Sequence, residues 1–116
     1  MSIDPYEHVF TTIAEASGIP GTLLAYPAGQ VPSLPWFVYE REEDGSVRAD
    51  DSDYTAIPRF RVELFEDGRN KDLEDSIADA IRETYGPVSM TDMWDEEEHC
   101  RMVDYEFSYT FKEDEE

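Results

Sequence analysis

The chain has few side chains that could attack a substrate or hold a metal. It contains one cysteine, Cys100, and two histidines, His8 and His99. Structural zinc sites use four Cys or His ligands at regular spacing, which these residues cannot supply. His99 and Cys100 are neighbours on a predicted strand, so their side chains point to opposite faces and a Cys–His nucleophilic pair is disfavoured. His8 lies in a predicted helix, where a surface position is favoured. Phosphate-loop patterns such as GxGxxG do not occur. We therefore expect no metal, no cofactor and no enzymatic activity.

Carboxylates are abundant, but their pattern is not that of a calcium loop. Asp44, Asp50, Asp51 and Asp53 cluster, yet Gly45 precedes most of them, whereas the EF-hand glycine follows its first acids. The chain has 29 acids and nine bases, a formal net charge of −20. Such a surface repels nucleic acid and anionic membranes and disfavours a DNA-reading role. It is compatible with solubility, with a saline cytoplasm, or with a surface that lies near DNA without gripping it.

One stretch, residues 57–86, combines a strand pattern with a helix pattern. Its apolar residues first alternate, which predicts a half-buried strand. Those alternating residues are Phe60, Val62 and Leu64. After the turn signal Asp67-Gly68 the apolar spacing becomes helical. Asn70 can cap this helix and Gly86 can end it. A strand followed at once by an amphipathic helix predicts one packed unit that organises the core.

The flanking segments complete a small domain. The other predicted elements are a helix over 4–17, a long loop over 18–35, a hairpin over 36–66 with an acidic tip at 42–53, strands over 88–94 and 101–111, and a frayed tail at 112–116. In the long loop, Leu23, Leu24 and Tyr26 either pin the loop to the core or form a short strand. Pro58 is expected to place its part of the hairpin at an edge or a bulge. The order α-β-β-α-β-β predicts a single α+β domain over 1–116 with two layers: a mostly antiparallel or mixed sheet with both helices on one face. With no apolar run of ~20 residues and no signal-peptide pattern, a soluble intracellular protein is expected.

Aromatic and arginine side chains are the candidates for a partner surface. Core packing is the favoured explanation of the aromatic residues, and a partner surface is the alternative. Arg59 and Arg61 stand on one strand face; they pair either with Glu63 and neighbouring acids or with the acidic surface of another copy. The candidate interface residues are Trp36, Tyr39, Arg59, Arg61 and Trp94.

Several segments of residues 34–85 carry a family resemblance. They are Leu34-Pro35-Trp36-Phe37-Val38-Tyr39, Ala49-Asp50 with Tyr54, Glu63-Leu64-Phe65 and Lys71-Asp72-Leu73-Glu74, to which the closing strand Tyr105 to Phe111 adds. With these segments the chain resembles small tail proteins encoded in phages and prophages of Gram-positive bacteria. It departs from them in its heavier content of acids and in Phe65, where the family often has Tyr.

The resemblance implies a tail terminator, or tail-completion protein, of a long-tailed phage. Such proteins have a fold like the lambda tail terminator, a mixed sheet with helices on one side, and assemble as a hexameric ring. The implied partners are other copies, the tail tube protein and a head-completion or connector protein, with DNA passing through the bore without specific binding. The implied location is the head–tail junction of the virion, after assembly in the host cytoplasm. The alternative is an acidic inhibitor that mimics DNA and occupies a DNA-processing enzyme.

Overall fold

The computed structural model describes residues 4–42 and 57–111. The predicted tail at 112–116, Tyr54 and all of the predicted acidic tip except Glu42 lie outside these residues. The elements are α1 (Pro5–Ser17), β1 (Gly21–Leu23), β2 (Trp36–Glu42), β3 (Arg59–Glu66), α2 (Lys71–Thr84), β4 (Val88–Asp95) and β5 (Cys100–Ser108). The strands form one sheet in the order β1-β2-β3-β5-β4, with β1 parallel to β2 and the other neighbours antiparallel. The α+β class with a mixed sheet is confirmed.

Strand β1 changes the predicted order of elements. It lies within the predicted loop over 18–35, so the order is α-β-β-β-α-β-β instead of α-β-β-α-β-β. Both alternatives for this loop occur in part: Leu23 belongs to a short strand, and Tyr26 packs against the buried Trp36. Gly21 permits the strand, because a Cβ at this position would overlap the ring of Phe37 in the neighbouring strand.

Both helices begin and end with local signals, and those of the second helix, Asn70 and Gly86, are the ones that the sequence predicts. The Asp4 side chain accepts the N–H of Tyr6 at the start of α1, and Gly18 ends that helix at φ 72°. Asn70 accepts the N–H of Leu73 at the start of α2. Gly86, at φ 115°, follows the end of α2 and turns the chain into β4. These caps are local, which is why the sequence reveals them.

The core lies between the two helices and one face of the sheet. Its buried members include Val9, Ile13, Ile77 and Ile81 from the helices, and Phe37, Tyr39, Phe60, Val62, Leu64, Val103, Tyr105 and Phe107 from the strands. The predicted alternation of β3 is therefore confirmed. Burying each large apolar side chain contributes roughly 1.5–3 kcal/mol to folding before entropy is counted.

Pro58 and His99 differ from their predicted positions. Strand β3 lies in the middle of the sheet, between β2 and β5, so the predicted edge placement of Pro58 is wrong. Pro58 precedes the first residue of β3, where its missing N–H is not needed, and its carbonyl accepts the N–H of Tyr109 at 2.8 Å. His99 lies in the turn before β5 at φ 53°, not on the strand as expected. In the described part of the chain, neither helix is both long enough and apolar enough to cross a membrane.

Candidate functional site

We call the sheet face opposite the helices the open face. One row of residues across this face is apolar. Strand register places four of them side by side: Trp36, Phe65, Met102 and Met93. The rings of Trp36 and Phe65 stack with centroids 4.3 Å apart, and Tyr26 packs edge-on against Trp36 at 5.4 Å. Tyr26 and Leu34, from the loop after β1, pack on this row. The loop thus covers one end of the open face.

A groove of about 410 Å³ lies between this loop and the turn after β4. Leu24 and Val31 line the loop side, and both are exposed. The other lining residues are apolar residues of the sheet together with acids: Val38, Phe65, Met102, Glu63, Asp95, Glu97 and Glu98. Tyr26 also lines the groove; its hydroxyl is buried and has no hydrogen-bond partner among the described residues. We call this feature the acid-rimmed groove.

Arg61 stands at the centre of the open face among carboxylates. Its guanidinium nitrogens lie 3.0 Å from Glu42, 3.4 Å from Glu40, 3.6 Å from Asp104, 3.6 Å from Glu106 and 3.8 Å from Glu63. Arg59 lies 3.5 Å from Glu42 and donates to the Ser108 Oγ at 2.9 Å. Five carboxylates against two guanidinium groups leave this part of the face negative.

Two of these acids, Glu63 and Asp104, have a raised pKa. Burial raises the pKa of Glu63, and the charges of Asp104 and Glu40 raise it further. Burial also raises the pKa of Asp104, although Arg61 opposes the rise. The part of the open face around Arg61 therefore has more acids than bases among the described residues.

A second charged cluster lies on the helix side, where Arg101 joins three acids. Its Nε lies 3.1 Å from both Glu66 and Glu74, and its Nη2 lies 3.0 Å from Asp92. Glu66 is 2% exposed and Glu74 is 4% exposed. Burial, followed by the hydrogen bond and charge of Glu74, raises the pKa of Glu66 to about 7. This cluster ties β3, α2, β5 and β4 together; sequence reasoning missed it because its members are far apart in the chain.

The two free edges of the sheet expose apolar side chains on the helix side. Leu23 in β1 is 41% exposed, and Met90 and Trp94 in β4 are 40% and 56% exposed. Register pairs Leu23 with Tyr39 and Met90 with Tyr105, both core residues on the helix side. Trp94 is four residues after Met90 and lies on the same side. These edges extend beyond the area that the helices cover.

The five candidate interface residues are not gathered in one place. Trp36 and Tyr39 are buried and pack within the domain. Arg61 pairs with acids of its own chain, as one of the two interpretations expected, and Arg59 does so more loosely. Trp94 alone of the five is a largely exposed apolar side chain, at the β4 edge.

The sequence favours a surface position for His8, but in the structure this side chain is half-buried. Its Nδ1 lies 2.6 Å from the Tyr85 hydroxyl, and the rings of Tyr109 and Phe111 pack against it. Burial raises the pKa of Tyr85 to about 12, so its hydroxyl stays protonated and acts as a neutral packing and hydrogen-bonding group. Burial also raises the pKa of Cys100, which disfavours a nucleophilic thiolate.

Metal-binding geometry is not found in the described segments. Across 4–42 and 57–111, no three His, Cys, Asp or Glu side chains are grouped so that they could hold an ion. No model of a known protein family matches the chain, and no curated protein is significantly similar to it.

Proposed function

We propose that this protein is a tail terminator of a long-tailed phage, a structural subunit whose ring closes the tail tube at the head–tail junction. The resemblance of residues 34–85 supports this proposal, and a mixed sheet with both helices on one face is the architecture that the resemblance implies. In this role the protein belongs to the virion, contacts the tail tube protein and a head-completion or connector protein, and catalyses no reaction.

The observation that carries the proposal is the pair of exposed apolar edges. Leu23 lies at one end of the sheet, and Met90 and Trp94 lie at the other, all on the helix side. A contact between the β4 edge of one copy and the β1 edge of the next joins two different surfaces. Such head-to-tail contacts close into a ring when the rotation between copies is right. The contact would also cover unpaired strand groups at both edges.

The net charge is consistent with a ring that surrounds DNA. A charge of −20 on each subunit repels phosphates, so a bore lined by acids lets a duplex pass without sticking. The same charge makes the subunits repel one another. Salt at about 1 M shortens the Debye length to roughly 3 Å and should promote assembly.

The proposal is tested by measuring mass in solution. Light scattering coupled to size exclusion, at low salt and at about 1 M salt, should show a ring of about six copies under the screened condition. Trp94→Asp and Leu23→Asp should each yield monomers at the same concentration, because each places a charge in an apolar contact.

Ile57→Asp is the matched control. Ile57 is 54% exposed, close to the exposure of Trp94, but it lies outside both edge strands. This variant should keep the ring, and circular dichroism should show that all three variants are folded. A wild-type protein that stays monomeric at high salt and high concentration would contradict the proposal. Rings that still form in both Trp94→Asp and Leu23→Asp would also contradict it.

An acidic inhibitor that mimics DNA is the second candidate, favoured by the net charge of −20. It predicts a strict monomer or dimer that blocks a DNA-processing enzyme in the same salt range. The mass measurement therefore separates the two candidates before any enzyme is assayed.

A further inference from the structure

The acid-rimmed groove offers an apolar floor that residues 4–42 and 57–111 leave unfilled. Val31 and Leu24, on its loop wall, are 44% and 62% exposed, although they face a 410 Å³ space. Met102 and Val38 form part of the floor. Apolar pockets of this kind are the places where interfaces receive an anchoring side chain.

Charge determines what kind of occupant fits. Asp95, Glu97 and Glu98 stand along one side of the groove, and Glu63 connects it to the negative centre of the open face. Arg61 lies 3.8 Å from Glu63, and it is shared among five carboxylates. A complementary partner must bring positive charge to this rim.

A second copy of this chain does not meet that requirement. The chain has 29 acids and nine bases, and the exposed bases Lys71 and Arg82 of α2 already pair with Asp75 and Asp79. Bringing two such surfaces together adds repulsion at the rim. A basic segment of a different protein therefore fits the rim better than a second copy of this acidic chain does.

We infer that the acid-rimmed groove binds a segment of another protein that inserts an apolar side chain and places lysine or arginine against Glu97 and Glu98. The groove lies on the open face, whereas the exposed sheet edges point to the helix side. The inference therefore does not depend on ring formation, and the two ideas can fail separately.

The probe is a short synthetic peptide, blocked at both ends, with a Leu-Phe-Leu centre flanked on each side by lysines. Calorimetric titration of the wild-type chain should give a Kd of ~100 µM or tighter, the strength expected from one anchor and a few rim ion pairs. Replacing the apolar centre of the peptide with serines should abolish measurable binding. Equal binding of the serine peptide would overturn the inference, because it would reduce the effect to general charge attraction.

Two sets of protein variants locate the site. Glu97→Lys combined with Glu98→Lys should weaken binding about fivefold or more, since each reversal turns an attractive rim contact into a repulsive one. The matched control combines Glu96→Lys with Glu83→Lys, which changes the net charge equally at exposed positions that do not line the groove. Equal weakening by both pairs, or no binding to wild type, would overturn the inference.

Val31→Asp tests the apolar wall and the possibility of a second copy. It should abolish peptide binding while the mass of the protein in solution stays unchanged, because a charge in the groove opposes an apolar anchor. A lower mass for Val31→Asp than for wild type would place another copy of the chain in the groove and overturn the inference.

Discussion

We expect the protein to lose stability between pH 5 and pH 8, and we expect Glu66 to cause part of this loss. Glu66→Gln should remove the part that Glu66 causes. Glu66 is buried beside Glu74, and both accept a hydrogen bond from Arg101. Its pKa in the folded protein is raised to about 7, mainly by burial and then by Glu74. In an unfolded chain a glutamate titrates at about 4.3. Between these values the folded protein binds a proton that the unfolded chain has lost. The stabilisation from this group is therefore fully present below the unfolded pKa and is lost as pH rises through 7.

The size of the effect follows from the difference between the two pKa values. Each unit corresponds to about 1.4 kcal/mol, so a shift from about 4.3 to about 7 corresponds to roughly 4 kcal/mol of unfolding free energy. Glutamine is neutral at every pH and resembles the protonated acid. At pH 8, Glu66→Gln should therefore be more stable than wild type by about 3–4 kcal/mol, and at pH 5 by much less. Glu74 stays ionised in this range, because hydrogen bonds from Glu66 and Arg101 lower its pKa despite burial.

Urea unfolding followed by circular dichroism, at constant ionic strength from pH 5 to pH 8, measures this difference. Asp92→Asn is the matched control: it also removes an acid that contacts Arg101, but the Asp92 side chain is 59% exposed. This control should keep the pH dependence of wild type, since exposed ion pairs contribute only about 0–1 kcal/mol. If Glu66→Gln loses as much stability as wild type between pH 5 and pH 8, the raised pKa is assigned to the wrong group.

Two further substitutions test the packing of the sheet. Gly21→Ala should cost about 1–3 kcal/mol in urea unfolding, because the new methyl group overlaps the buried ring of Phe37; Gly68→Ala, which meets no atom within 4 Å, is the control, and equal costs would contradict the close approach. Arg61→Gln should cost about 1–2 kcal/mol at neutral pH after allowance for screening, because five carboxylates lose their shared cation. High salt should recover part of that loss, whereas Lys71→Gln, at an exposed pair, should change little; a salt-independent loss in Arg61→Gln would point to packing instead of charge.

The parts of the fold that the sequence predicts are those with local causes. Alternation in β3 and β5 is visible because one face of each strand packs on the helices. The ends of α1 and α2 follow from caps such as Asp4 and Asn70, which act within a few residues. Two helices on one face of a mixed sheet follow from these elements and their order.

The candidate surfaces depend on contacts between distant residues, which periodicity does not show. Strand β1 exists because Gly21 fits beneath Phe37 in a strand that begins 15 residues later. The groove is lined by both Val31 and Glu97, although these residues lie far apart in sequence. Trp36 and Trp94 have the same residue type, yet the loop after β1 buries the first and leaves the second exposed.

The brevity of β1 makes the two walls of the groove mechanically unequal. The wall that carries Leu24 and Val31 is the loop between β1, which has three residues, and β2. It is held to the sheet by the Leu24 N–H, which donates to the Tyr39 carbonyl, and by the packing of Tyr26 and Leu34 beside Trp36. The opposite wall rises from β4 and β5, which are paired over eight positions. Segments with few anchoring contacts open at lower free energy than the core does. One wall is therefore compliant and the other stiff, so the groove can adjust its width to anchors of different size, at the entropic cost of ordering the compliant wall.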